Sequence, residues 1–120
     1  MARVVVGASR PLVVEIARRP EELSRGLSHR ARLGVERGML FDLGFVKDHV
    51  FWMRDVAFPL DMIFVGEDGR VAGVLHEVPP MNERLRSIGK PSRWVLEAPA
   101  GWARQHGVRT GQTLSVAGLS

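Results

Sequence analysis

Apolar residues in this chain arrive in short runs rich in Val, Ile and Phe, and each run is soon cut off by Gly, Pro or Asp. An amphipathic helix needs apolar positions recurring every three or four residues over several turns, whereas runs this short fit strands. Residues 3–6, 12–16, 38–41, 49–53, 62–65, 70–75, 93–98 and 113–116 are therefore predicted strands. Between the fifth and sixth lies Gly66-Glu67-Asp68-Gly69. An Asp-Gly pair between two apolar runs is the strongest short-range hairpin signal, so these two strands are expected to pair antiparallel.

Two segments read as short helices. Pro20 precedes Glu21 and Glu22, and Gly26 follows Arg25. Proline at the first helical position, acids in the first turn and a glycine stop define about two turns. Pro99 to His106, closed by Gly107, repeats the pattern. From Glu77 to Ser92 the apolar periodicity lapses among Pro79, Pro80, Gly89 and Pro91, which predicts a long irregular connection of the kind that often carries function. The expected fold is mainly β: an antiparallel β-sandwich or partly open barrel with two short helices, residues 1–120 forming one domain. An α+β layer with both helices on one sheet face is the alternative, and the helices are too short to favour it.

Composition limits function more than fold. The chain carries 17 basic and 13 acidic residues, a net charge of +4. Its isoelectric point near 10.9 looks like a nucleic-acid signal. With no Tyr and no Cys, however, little titrates between the carboxylates and arginine, so a small surplus suffices. The charges are interspersed without a basic stripe, and nucleic acid is not expected as a partner. The absence of cysteine excludes disulfides, thiolate zinc sites and a Cys nucleophile. His29, His49, His76 and His106 never stand at a metal-pair spacing, so no metal or other cofactor is expected. No phosphate loop or nucleophile elbow is present either. The first residues lack a secretory apolar run, since Gly7 and Arg10 interrupt it, and no stretch is long enough to span a membrane. A cytoplasmic, soluble protein with no membrane partner is the expectation.

The most unusual segment is Phe51-Trp52-Met53-Arg54-Asp55-Val56-Ala57-Phe58-Pro59-Leu60-Asp61, followed by the apolar run 62–65. It embeds one arginine and two acids among bulky apolar residues. Burying an unpaired charge costs several kcal/mol, so Arg54, Asp55 and Asp61 must be paired, hydrogen-bonded or turned to solvent.

This segment resembles the signature of the domain of unknown function 192 family, whose pattern runs Phe-Trp-Met-Lys-Asn-Thr-x-x-Pro-Leu-Asp. Three further blocks are similar in order: Arg25-Gly26-Leu27 with Arg30, Gly38-Met39-Leu40-Phe41, and Val95-Leu96-Glu97 with Gly101. The resemblance implies a compact β-sandwich-like domain and an activity not yet assigned. Arg54-Asp55-Val56 stands where Lys-Asn-Thr is usual, and Ser28 where Met is usual. Many relatives carry a secretion signal.

Carried over onto the matching blocks, the polar candidates are Arg25, Arg30, Trp52, Arg54, Asp55, Asp61 and Glu97. Brought together, they would make a pocket for a small polar or anionic ligand or a glycan fragment, with an indole platform. Two alternatives stand beside this reading. In one, Asp61 and Glu97 are the acid/base pair of a saccharide hydrolase or lyase. In the other, the charges form a structural ion-pair network in a non-catalytic interaction module, whose working surface is the 77–92 segment. Asp61, beside a proline turn, is expected to lose under about 2 kcal/mol on mutation to Asn.

Overall fold

A computed structural model describes residues 1–117. In chain order the elements are β1 (Ala2–Val6), β2 (Leu12–Ala17), α1 (Pro20–Arg25), β3 (Arg37–Lys47), β4 (Phe51–Met53), β5 (Leu60–Val65), β6 (Val71–Val78), β7 (Asn82–Arg86), β8 (Ser92–Pro99), α2 (Trp102–Gln105) and β9 (Leu114–Ala117). Seven strands form one sheet in the order β6-β5-β8-β3-β2-β1-β9, and β4 and β7 form a separate ribbon. The large sheet curls into a half-barrel, the partly open form of the expected architecture. Its two edges meet at one corner, where Val71 N–H donates to the Gln112 carbonyl and Leu114 N–H to that of Gly69 (2.8 and 2.9 Å).

Two features depart from the expected antiparallel design. β2 and β3 run parallel, with Val14 opposite Gly38 and Ile16 opposite Leu40. A parallel pair needs a long crossover, and residues 18–36, with α1 inside them, supply it. The segment 77–92 is also not irregular throughout. β6 runs on to Val78, and β7 pairs with β4 through Phe51 opposite Arg86 and Met53 opposite Asn82. The predicted hairpin forms, with Ile63 opposite Val74.

Alternation along the strands sorts two cores. Val4, Leu12, Leu40, Ile63, Leu96 and Trp102 gather on the inner face, where α2 plugs one end of the half-barrel. Met39, Phe41, Met62, Phe64 and Val95 point outward and are covered by Leu27, which follows α1, and by Met53 of the ribbon. No helix among the described residues is long and apolar enough to cross a membrane.

Asp61 belongs to the inner face and is fully buried. Its Oδ1 accepts from the Glu77 N–H and its Oδ2 from the Ala103 N–H, both at 2.8 Å. The first donor lies in a bulge, where the β5–β6 register shifts between Leu60 and Met62 and Glu77 takes a φ of 50°. That shift turns the Glu77 amide out of the ladder toward Asp61. The second donor is the second residue of α2, whose N-cap is Gly101 and has no side chain to offer. Asp61 thus caps α2 from the neighbouring strand.

This burial corrects the small effect expected for Asp61→Asn. An amide keeps one acceptor and turns its NH₂ toward the other backbone donor. The loss should be about 3 kcal/mol, since hydrogen bonds to a charged group contribute about 1.5 to 3 kcal/mol each. Denaturant melts of both proteins measure it, and a loss under about 1 kcal/mol at unchanged slope would show that these bonds do not hold α2 in place.

Candidate functional site

A cleft of about 260 Å³ opens between the outer face of the sheet, the end of α1 and strand β4. Glu97 of β8 lies at its floor. It sits opposite Met39 on one side and Met62 on the other, on the outer face of a strand hydrogen-bonded along both edges. It is 4% exposed. Among the described residues nothing hydrogen-bonds or ion-pairs with its carboxyl. Burial alone pushes its pKa up to about 8, so at neutral pH the group is a protonated acid, able to donate and accept a hydrogen bond.

Two glycines shape the cleft. At Gly38 an added Cβ would lie 2.2 Å from the Glu97 carbonyl oxygen, so only glycine lets β3 approach β8 here. Gly26 ends α1 with a φ of 50°, its N–H donating to the Glu22 carbonyl at 2.9 Å. An added Cβ there would meet the Phe41 ring at 3.2 Å. The turn after α1 thereby lies directly on Phe41, and Arg25 is left at the rim. Its exposed guanidinium makes no hydrogen bond or ion pair among the described residues.

The other wall comes from β4 and the connection before it. Phe51 meets Phe41 edge to face, with ring centroids 5.1 Å apart. Trp52 is 43% exposed, and the Arg54 guanidinium carbon lies 5.4 Å from its ring centroid, within cation–π range. His49 also lines the cleft. Its Nε2 lies 3.0 Å from the Phe45 carbonyl oxygen, and since a carbonyl only accepts, Nε2 is the donor in that bond.

Four of the seven sequence candidates, Arg25, Trp52, Arg54 and Glu97, therefore line one cleft. The other three lie elsewhere. Arg30 is bound through both terminal nitrogens to Glu15, and this hydrogen bonding holds the Glu15 carboxyl below its usual range. Asp55 takes a left-handed turn with φ 58°, within 3.8 Å of His29 Nε2 and 3.9 Å of Arg54 Nε. Asp61 pairs in register with Ala98 while Met62 pairs with Glu97. Successive residues face opposite sides of a sheet, so Asp61 and Glu97 cannot act as an acid/base pair on one substrate.

Sequence reasoning passed over His49, Phe41 and Phe51 as site residues. The position of His49 just before the aromatic run is the one signal in the chain that points to it. Among the described residues no three His, Asp or Glu side chains converge to hold a metal ion.

Known proteins give context for this arrangement. The fold matches a crystal structure from Sinorhizobium meliloti 1021, described as a candidate transcription regulator, with a TM-score of 0.91 and 33% identity over 98% of this chain and 95% of that one. It also matches a protein of unknown function from Novosphingobium aromaticivorans, with a TM-score of 0.88 and 34% identity over 94% of this chain and 83% of that one. No functionally curated protein matches the chain. The sequence profile of DUF192, described as an uncharacterized ACR, matches residues 3–116. The chain belongs to this domain of unknown function 192 family.

Proposed function

We propose that the protein binds a small anionic molecule in the cleft between α1, β4 and the outer face of the sheet. The observation that carries this reading is Glu97: a buried carboxyl at the floor of an open cleft, with no partner of its own. Unpaired buried acids destabilise a fold, and such groups gather at functional sites. With Glu97 protonated, the charge left in the cleft is positive. Arg25 makes no close ion pair and acts on Glu15 and Glu22 only at longer range, and Arg54 lies 3.5 Å from Glu83 and 3.9 Å from Asp55 with Trp52 beside its guanidinium. A ligand oxygen anion fits the guanidinium at the rim, and a hydrogen-bonding group fits the acid below.

Stability should record the strain at Glu97. Below its ordinary pKa near 4.5, both folded and unfolded chains hold the proton. Between there and about 8 only the unfolded chain releases it, and above that both have released it. Folding stability attributable to this group therefore falls as pH rises through that window, by about 1.4 kcal/mol per pH unit at most, and then levels off. Glu97→Gln cannot titrate. The variant should match the wild type near pH 5 and exceed it at pH 9 by on the order of 3 kcal/mol. Arg25, His49 and Arg54, which face the cleft from α1, the connection before β4 and the turn after it, are common to both proteins and cancel. A difference that does not change with pH in paired denaturant melts would remove the strain argument.

Binding itself is tested by titrating ¹⁵N-labelled protein with acetate, inorganic phosphate and glucuronate, using glucose and methylammonium as uncharged and cationic controls. The anions should move the amide signals of residues 23–27, 51, 52 and 97, and Arg25→Ala should weaken that response about tenfold, or about 1.4 kcal/mol. Equal responses to anions and methylammonium, or anion responses unchanged in Arg25→Ala, would overturn the reading.

A further inference from the structure

The two ends of the cleft differ chemically, and the space between them resembles neither. At the rim stands the Arg25 guanidinium, which makes no hydrogen bond or close ion pair. At the floor Glu97 is governed by burial alone, so none of Arg25, His49 and Arg54 sets its charge, and it presents a neutral carboxyl to whatever enters. Between them Phe41 and Phe51 stand at an interplanar angle of 85°, with Leu23, Leu43 and Val50 closing the sides. None of these five side chains can hydrogen-bond. Any sugar hydroxyl turned toward these five would be buried without a partner, at a cost of about 1 to 3 kcal/mol.

A flat apolar ring suits such walls. The half-buried Phe51 and the exposed Trp52 offer the aromatic surface, with Phe41 buried behind Phe51. The volume agrees: a dry cavity of about 150 Å³ holds benzene, and this cleft encloses about 260 Å³, enough for one ring with a substituent at each end. The exposed Trp52, backed by Arg54, extends the aromatic surface outward at the lip.

Building on the anion-binding reading above, we propose that the cleft takes a small aromatic carboxylate with a polar group at the far end of the ring. The carboxylate meets Arg25, the ring lies against Phe51, and the far group, such as a hydroxyl, exchanges a hydrogen bond with the Glu97 carboxyl. Anionic sugars and short aliphatic acids share only the first of these contacts.

The test uses 4-hydroxybenzoate as the probe, with benzoate, phenol, acetate and glucuronate as partial versions of it, measured by calorimetry and amide shifts on the whole chain. 4-Hydroxybenzoate should bind at least about tenfold tighter than acetate or glucuronate. Arg25→Ala should weaken 4-hydroxybenzoate about tenfold and phenol less than about twofold, because phenol lacks the group that Arg25 meets. Glu97→Leu should weaken 4-hydroxybenzoate more than benzoate, by the same logic. Glu97→Gln, which keeps a hydrogen-bonding end, serves for that comparison if the Leu variant does not fold. If acetate and glucuronate move the cleft signals and the aromatic acids bind no tighter, this inference falls while anion binding stands. If none of the acids moves those signals, both fall. Equal losses for 4-hydroxybenzoate and phenol in Arg25→Ala would also overturn the assignment of its carboxylate.

Discussion

Strand β8 lies between β3 and β5, and its central residues, Val95 to Ala98, are all buried. Leu96 and Ala98 go to the inner core and Val95 to the outer one. Glu97 occupies an outer position where every consideration of transfer energy calls for an apolar residue. Asp61, on the neighbouring strand, shows how the same fold treats a carboxylate it uses for support. It receives two backbone N–H groups that the ladder and the helix left over. Glu97 receives none, and keeps its proton instead. Two buried carboxyls one register step apart thus differ in their surroundings, since one has backbone donors and the other faces a cleft.

The cleft exists because the cover over the outer face is made in two pieces. The turn after α1 and the ribbon of β4 and β7 meet through the His29 N–H, which donates to the Asp55 carbonyl at 2.9 Å. Around that junction Arg30 and Arg25 follow opposite courses. Arg30 is consumed by Glu15, a pair between the loop and β2 that ties the cover to the sheet. Arg25, five positions earlier in the chain, makes no close ion pair and acts on Glu15 and Glu22 only at longer range. Had it reached Glu97, the two would have formed a second such pair and filled the space between the layers. The left-handed turn at Gly26, lying on Phe41, holds the α1 end where that does not happen.

Much of the sheet was legible because its signals are local. Asp68-Gly69 fixed the β5–β6 hairpin, and Pro20 with Gly26 bracketed α1. Strand β7 was not, since its only apolar residue, Leu85, is 66% exposed. A ribbon edge that buries little has no alternation to read. The parallel pairing of β2 with β3 was hidden for a different reason: partners across a crossover are chosen by topology, not by either strand's pattern. Within the site, sequence supplied residue types and blocks but not faces. A step of one residue separates a strand position that supports α2 from one that opens into the cleft, which is why Asp61 and Glu97 read alike from the chain and differ in the fold.

The departure at Arg54-Asp55-Val56 from the Lys-Asn-Thr of the family pattern makes local sense in this structure. Position 55 has a φ of 58°, which Asn and Asp tolerate better than most residues, and the acid gains Arg54 and His29 as neighbours. Position 56 is 6% exposed within the outer core. A methyl there needs no partner, whereas a threonine hydroxyl would have to find one. Position 54 gains most, because a planar guanidinium stacks on Trp52 and still reaches Glu83, as a lysine ammonium cannot do with the same geometry. The three changes leave the turn and the core intact and set a planar guanidinium against the Trp52 ring at the lip of the cleft.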